Sequence, residues 1–583
     1  METNRFQWKI GGEAGFGIMT TGLVFSRVCM RAGLKTFAYP EYPSLIRGGH
    51  NTYQVFVDAE QASTQIHPVH ILVALNKETI TLHTEELIDG SAIIYDPADF
   101  KDGLPTIEGK QLIWVPVPMN QIIKEREGHR VARNTIAIGA SLGLLQCPWE
   151  IIEGVISDWF GKKKPHLAEE NVALTKIGYD AVAGKYATFN YNIEARTPAK
   201  PHMVISGNGS IAMGAMKAGM KFFAAYPMTP SSDILGYLSR QERKMDLVVK
   251  HTEDEIAAMN MIIGAGFAGV RAMTATSGGG FALMGEALGM AGLAEVPIVV
   301  IMGQRPGPST GLPTWTSQAD LRFVLHASQG EFPRIVLTPG DAEECFQSTY
   351  EAFNLAEKYQ TPVIVVVDKY VQESWKSVEL YEATTSIDRG KLLTQDELNA
   401  AVENGAAYLR HKYTQDGVSP RALPGMEHGR HIASSYEHVE SGATTEDELE
   451  TVKQNDKRFE KLQTFLKTDA KGPVFYGPEN ADLTIVGWGS TKQPALEAVR
   501  MAEAAGLSIN YLHFIYIDPL PLKLVQEALR KTKKTLCVEG NKLGQLEGWV
   551  REHAGITMSD HFRKYGGRPF YPEEILEQAK KHL

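Results

Sequence analysis

The sequence predicts an α/β protein made of several doubly wound, parallel-sheet domains. Three observations carry that reading. Short continuous apolar runs, the pattern of strands covered on both faces, alternate with stretches of helical periodicity. Glycine-rich turns stand where such runs give way to helices. The length of 583 residues leaves room for about three or four cores of ordinary domain size.

Residues 1–190 form the first predicted unit. It opens WKIGGEAGFGIMTTGLVFSRVCMRAG, an apolar run, a glycine loop and an amphipathic helix. Runs at 71–75, 92–95 and 112–117 read as buried strands, with a helix at 134–145. Residues 188–202 are polar, contain two prolines and read as a linker. The second unit, 200–375, repeats the rhythm. Strand 204–206 leads into a glycine loop and helix 211–220, strand 273–275 precedes the glycine run 277–280, and apolar runs follow at 296–302 and 362–368. Residues 376–470 turn hydrophilic and read as a surface-wrapping connection with one exposed helix near 444–467. Residues 471–583 read as a smaller α/β domain, with strands at 483–488, 509–514 and 535–539 and an amphipathic helix at 492–505.

Composition narrows the function. Hydrophobic residues make up 43% and charged residues 22%, a globular profile. The net charge of −10 is spread along the chain, so nucleic acid is not an expected partner. The start lacks the pattern of a secretory signal, and no run of about 18 apolar residues exists to span a bilayer. Cys29, Cys147, Cys345 and Cys537 are each more than 100 residues from the next. That spacing excludes CxxC-type zinc or iron–sulfur ligation within the chain, reads as buried reduced thiols and points to the cytoplasm.

Several constellations could carry chemistry. In GGEAGFG, Gly15 and Gly17 stand between strand and helix, where backbone N–H groups can hold a phosphate; tight packing explains the same glycines. The spacing is GxxGxG, and the strand region LKTFAYPE is read as lacking the terminal acid that holds a dinucleotide ribose, so an NAD site is disfavoured. SLIRGGH places Arg47 and His50 in a flexible loop, suited to an anionic ligand, a subunit or a plain surface turn. In YPMTPSSD, beginning at Tyr226 and Pro227, Thr229 is placed to cap the next helix with Pro230 in its first turn; a hydroxyl beside helix-start N–H groups also suits a carboxylate substrate.

Glu255 ends the sequence Thr252-Glu253-Asp254-Glu255, which fits a capping box. The helix that follows, IAAMNMIIGAGFAGVRA, is apolar on nearly every face, and a carboxyl group entering it could share a proton with a ring nitrogen. Arg305 follows an apolar run directly, where a guanidinium can grip a carboxylate or cap carbonyls.

Together these segments resemble the α subunit of 2-oxoacid:ferredoxin oxidoreductases, in the form that carries the γ domain fused ahead of it. The matching stretches are GGEAGFG, GNGSIAMGAMKAG, YPMTPSS, HTEDEIAAMNMIIGAGFAG, TATSGGGFALMGEALG, EVPIVVIMGQRPGPSTGLPTWTSQADL and NKLGQLEGWV. They run in the family's order over nearly the whole chain. The resemblance implies that 1–190 is a γ-type domain on the coenzyme A side and 200–375 the pyrimidine-binding domain for thiamine diphosphate. It implies a transketolase C-terminal-like domain at 471–583. The diphosphate, Mg2+ and a [4Fe-4S] cluster then belong to a β subunit, which fits the missing Gly-Asp-Gly loop and cysteine cluster. By the same resemblance Glu255 protonates the cofactor's aminopyrimidine ring, beside Tyr226 and Pro227. Thr229, Arg305 and Thr314 orient the substrate carboxylate, and Gly15, Gly17 and Arg47 help cover the coenzyme A channel. Electrons leave singly to ferredoxin, and the assembly is a dimer of αβ pairs. The fused form leans towards 2-oxoglutarate; pyruvate or a branched-chain acid is the near rival, and a non-catalytic scaffold or a lone NAD- or flavin-linked dehydrogenase the distant ones.

Overall fold

The computed structural model describes residues 2–15, 17–45, 48–101, 103–126, 132–161 and 165–583. The chain divides into two compact units. The first takes the chain to Ser206 with Glu373–Leu380 and Tyr571–Ile575; the second takes Gly207–Gln372, Tyr381–Phe570 and Leu576–Leu583. Both are α/β. No helix among the described residues is long and apolar enough to cross a membrane.

The first unit is built on strands β1 (Phe6–Glu13), β2 (Lys35–Glu41), β3 (His50–Asp58), β4 (Val69–Ala74), β5 (Leu87–Tyr95), β6 (Ile113–Pro116) and β7 (His202–Ser206), joined by the late strand Trp375–Glu379. The order is β6-β5-β4-β1-β3-β2, then Trp375–Glu379, then β7 at the edge. From β6 to β1 every pairing is parallel; from β1 to β7 every pairing is antiparallel. Half of this sheet therefore departs from the parallel expectation. The connection 42–49 is the reason, being too short for the crossover that parallel neighbours require. The longer helices of the unit are α1 (Ile18–Arg31), α2 (Ala132–Leu144), α3 (Trp149–Gly161) and α4 (Pro165–Val182). Trp8 of β1 stacks on Phe25 of α1 with ring centroids 4.4 Å apart, which fixes helix on sheet.

Two further expectations are corrected here. The run 204–206, read as the opening strand of the second unit, belongs to the edge of the first sheet. The strand LKTFAYPE does end on an acid, Glu41. The dinucleotide geometry fails for another reason: β2 lies beside β3 in antiparallel register, not beside β1 as a right-handed parallel crossover demands.

The second unit holds two sheets. The larger uses β8 (Phe222–Ala225), β9 (Val248–His251), β10 (Ala272–Ser277), β11 (Ile298–Gln304), β12 (Ile335–Leu337) and β13 (Pro362–Asp368), with helices α5 (Gly207–Lys217), α6 (Ser232–Ser239), α7 (Glu255–Phe267), α8 (Gly278–Leu283), α9 (Gly285–Leu293) and α10 (Ala342–Tyr359). Its order is β9-β8-β10-β11-β13-β12, all parallel. The run Ile298–Gln304 is buried throughout, as a central strand covered on both faces must be. Strand Tyr516–Asp518 adds to β12 in antiparallel sense. The smaller sheet contains Leu483–Trp488, Ile509–Phe514 and Thr535–Glu539 in parallel, flanked by Val474–Tyr476 and Asp560–Arg563. Trp488 and Phe514 share one apolar core with Val300 and Met302 of β11.

The hydrophilic connection carries helix α11 (Glu448–Thr468), which is not simply exposed. Gln454, Lys457, Arg458, Lys461 and Phe465 are buried. Lys457 Nζ lies 2.5 Å from Glu295 Oε1, Lys461 pairs with the other oxygen, and His411 Nδ1 lies 2.9 Å away. The charged stripe that looked like a solvent face clamps an acid at the end of α9. Two ammonium groups hold the Glu295 carboxylate well below the ordinary range, despite complete burial.

Candidate active site

Asp254, not Glu255, caps α7. Its Oδ1 accepts from Ala257 N at 2.7 Å, and the Thr252 hydroxyl donates to the Asp254 carbonyl at 2.8 Å. The capping-box reading, with Thr252 as cap and Glu255 reaching back to it, thus placed the cap two positions early. Freed of that task, Glu255 is the first helical residue, 4% exposed, and its Oε1 is buried without a hydrogen-bond partner. A buried carboxyl oxygen with no donor is costly, so an orphan of this kind calls for a physical explanation.

The glycine run after β10 explains how the carboxyl fits. A Cβ at Gly280 would lie 2.6 Å from Glu255 Oε1 and 2.1 Å from Thr276 Oγ1. Only glycine lets α8 start this close to the acid. Ser277 Oγ, beside it, is likewise buried with no partner.

Thr229 does not cap α6, which begins two residues later than expected, at Ser232 after Ser231 and without a side-chain cap. The Thr229–Pro230 peptide is cis. The YPMTP turn is held from below by a buried network. Asn208 Nδ2 donates to the Pro230 carbonyl at 2.9 Å, and Gln372 Nε2 donates to Asn208 Oδ1 at 2.9 Å and Ser231 Oγ at 3.0 Å. Ser231 Oγ in turn donates to the Thr276 carbonyl at 2.9 Å. Sequence reasoning missed Asn208, Ser231 and Gln372; only the GNGSIAMG stretch hinted at the first.

Arg305 leaves the end of β11 and donates from Nη1 to the Thr229 carbonyl at 2.9 Å. One arm thus ties the strand end to the turn, and other guanidinium N–H groups remain for a ligand. Burial lowers its pKa, offset by Asp320. Asp320 is pushed up to about 6 by burial, with the Arg305 charge pulling back. Thr314 is 6% exposed, and its hydroxyl has no partner. Tyr226, 39% exposed, lies with its ring centroid 6.3 Å from that of His251, and Pro227 is half-buried beside it.

These residues hang from the C-terminal ends of four neighbouring strands: Glu255 after β9, the Tyr226–Pro230 turn after β8, residues 277–280 at β10, and Arg305 after β11. Ligands gather there in open parallel sheets. Helix α7 is less enclosed than its composition predicts, because among the described residues no element covers one face. Ile256 and Met261 are exposed there, as are Leu283 of α8 and Met290 of α9.

In the first unit, Gly11 and Gly12 lie inside β1, and the turn is made by Gly15 at φ 89° and Gly17 at φ 75°, which precedes α1. A Cβ on Gly15 would touch nothing, so backbone shape rather than packing selects glycine there. Gly17, Thr20, Thr21, Thr135 and Asn171 line a cleft of about 290 Å³ beside the turn. Arg47 lies outside the described residues. His50 is not a loop residue but starts β3, its Nε2 2.8 Å from His83 Nε2, and burial with the His83 and Lys9 charges lowers its pKa to about 4.

Two clusters among the described residues group potential metal ligands, Glu295–His411–His438 and Cys537–Glu539–Glu547. Both already have employment. Glu295 holds two lysines, and Glu539 accepts from Leu546 N, Glu547 N and Trp488 Nε1 at 2.9–3.1 Å.

Comparison with known proteins places this geometry in a family. A family model described as pyruvate flavodoxin/ferredoxin oxidoreductase, thiamine diP-bdg, matches residues 213–458. One described as pyruvate ferredoxin/flavodoxin oxidoreductase matches 7–181, and the transketolase C-terminal domain matches 476–554. The chain is 33% identical to the α subunit of 2-oxoacid:ferredoxin oxidoreductase 2 of Aeropyrum pernix, over 98% of this chain and 97% of that one. It is 30% identical to the 2-oxoglutarate oxidoreductase subunit KorA of Mycobacterium tuberculosis, over 97% and 90%. The solved 2-oxoglutarate:ferredoxin oxidoreductase of Magnetococcus marinus, with 2-oxoglutarate, coenzyme A and succinyl-CoA bound, superposes with a TM-score of 0.91 at 32% identity and full coverage of both chains. With three matched domains and relatives aligned from end to end, the chain belongs to the family of 2-oxoacid:ferredoxin oxidoreductase α subunits.

Proposed function

We propose that this chain supplies half of a thiamine diphosphate site in a 2-oxoglutarate:ferredoxin oxidoreductase, and that a β subunit supplies the rest. The reaction joins 2-oxoglutarate and coenzyme A into succinyl-CoA, releases CO2 and reduces two ferredoxins by one electron each; reductive carboxylation is its reverse. The carrying observation is the Glu255 carboxyl, buried, unpartnered at Oε1 and cradled by Gly280. The relatives and solved structure named above support the choice of substrate.

Thiamine diphosphate, when bound, supplies the electron sink for the carbon that loses CO2. Glu255 holds at Oε1 the proton shared with a ring nitrogen, screened from water by its burial. Tyr226 and Pro227 wall that position. Arg305, steadied through Nη1 by the Thr229 carbonyl, turns its remaining N–H groups to the substrate carboxylate, and the Thr229 and Thr314 hydroxyls complete its hydrogen bonds. The exposed apolar side chains of Ile256, Met261, Leu283 and Met290 are the surface the β subunit covers. That subunit carries Mg2+ and the [4Fe-4S] cluster, and two αβ pairs assemble in the cytoplasm. Residues 1–190 act as the γ domain, with Gly15, Gly17 and Arg47 on the coenzyme A side.

The test is co-purification with the partner subunit, followed by assay of a panel of 2-oxoacids with coenzyme A and a low-potential acceptor. Preference for 2-oxoglutarate is expected. Preference for pyruvate or a branched-chain acid overturns the substrate, and full turnover by Glu255→Gln overturns the site.

A further inference from the structure

The first unit contains a cleft of about 670 Å³ lined by none of the residues assigned above to the reaction. Its walls are the C-terminal half of α1, the end of α3 and the edge strand β7. It lies towards the opposite end of α1 from the glycine turn; the stretch 18–26 separates the two, roughly 14 Å at 1.5 Å per residue.

The lining combines charge with an aromatic plate. The Arg27 guanidinium sits 4.5 Å above the Trp159 ring, a contact that fixes its orientation. Among the described residues no carboxylate pairs with Arg27, and its Nε is buried without an acceptor. Arg31 enters one turn later. Its Nη1 lies 2.7 Å from Asp158 Oδ2, a pair that is 45% and 61% exposed and open to exchange. Arg31 also repels Arg27, and together with burial this lowers the Arg27 pKa. At the β7 side His202 accepts from Lys35, bringing a third cation close. Among the described residues of the lining Asp158 is the one acid. Met30, Val155, Met203 and Val204 supply the apolar floor.

An unpaired, stacked arginine over an apolar floor is the arrangement that takes an anionic group attached to a flat or apolar body. The volume is that of a site for a single metabolite. From these features we propose that the cleft binds a small anionic metabolite of nucleoside-phosphate type. The phosphate sits against Arg27 and Arg31, and the ring lies along Trp159 and the methionines.

The test uses ADP as probe on the full chain in complex with its partner subunit, followed by calorimetry and tryptophan fluorescence, with saturating coenzyme A present or absent. Saturable ADP binding that persists with coenzyme A is expected. Arg27→Gln should weaken it about ten-fold or more, the worth of one charge-assisted hydrogen bond, and Trp159→Leu should remove the fluorescence change. Turnover should be unaltered by either substitution. Arg31→Gln, at a more exposed position, serves if Arg27→Gln fails to fold. ADP binding that coenzyme A displaces belongs to the thioester-forming site and overturns the proposal. So does binding indifferent to Arg27 and Arg31, or no saturable binding of ADP.

Discussion

A single methyl group at residue 280 should silence the enzyme while leaving it folded. In Gly280→Ala the new Cβ falls 2.6 Å from Glu255 Oε1 and 2.1 Å from Thr276 Oγ1, against an ordinary contact of 3.4 Å or more. The Glu255 oxygen must therefore retreat by about 0.8 Å, the difference between 3.4 and 2.6. A misplacement near 1 Å in a reacting group costs about 100-fold in rate, whereas overpacking at one buried position costs about 1–3 kcal/mol of stability. The measurements are kcat/KM in the reconstituted complex and the melting temperature. The double variant Thr276→Ala, Gly280→Ala separates the two effects. It removes the harsher clash and should regain stability, yet leaves the acid displaced and the rate low. A folded Gly280→Ala enzyme with wild-type kcat/KM would refute the assignment of Glu255.

Glu255→Gln should abolish turnover and leave assembly with the partner subunit intact, as size-exclusion chromatography and steady-state assay will show. Arg305→Ala should raise KM for the 2-oxoacid and lower kcat together, because the carboxylate is gripped in both ground and transition states; an unchanged KM would contradict its role. Asp320 carries a pKa raised to about 6 from 3.8, so the fold binds its proton more tightly than the unfolded chain does. Its contribution to stability is greatest at acid pH and declines as pH rises through that window. Asp320→Asn should remove this decline, so its melting temperature should gain on wild type between about pH 4 and pH 6. Glu295→Ala leaves Lys457 and Lys461 buried without their carboxylate and should cost about 3–5 kcal/mol in chemical denaturation.

What the sequence disclosed depended on how local each signal was. Continuous apolar runs such as Pro362–Asp368 announced central strands, since burial on both faces leaves no room for alternation. Strand direction was not legible at β2 and β3, because the same alternation serves a parallel or an antiparallel neighbour. The pairing of Trp375–Glu379 with β2 and β7 joins residues more than 160 apart, and nothing local to WKSVE records it. Lys457 and Lys461 looked solvated because their partner, Glu295, lies about 160 residues upstream. At the site, Thr252 and Asp254 are both residue types that cap helices; only the geometry showed which one did. Thr229 and Arg305 stood out by their places in the sequence, the family resemblance gave them roles, and the bond between them came from the fold. The asparagine–serine–glutamine network below the turn left almost no trace in the chain, because its members lie up to 164 residues apart and no local pattern joins them.

The four adjacent strands that carry the proposed reacting groups also limit how this enzyme can be remade. Backbone ladders hold neighbouring strands about 4.8 Å apart, so the separations among the acid, the turn and the guanidinium are set by the sheet and barely respond to distant substitution. The stretch from Pro306 to Pro313 obeys no such ruler. Engineering for a longer or shorter acid should therefore begin in that loop and leave the strand ends alone.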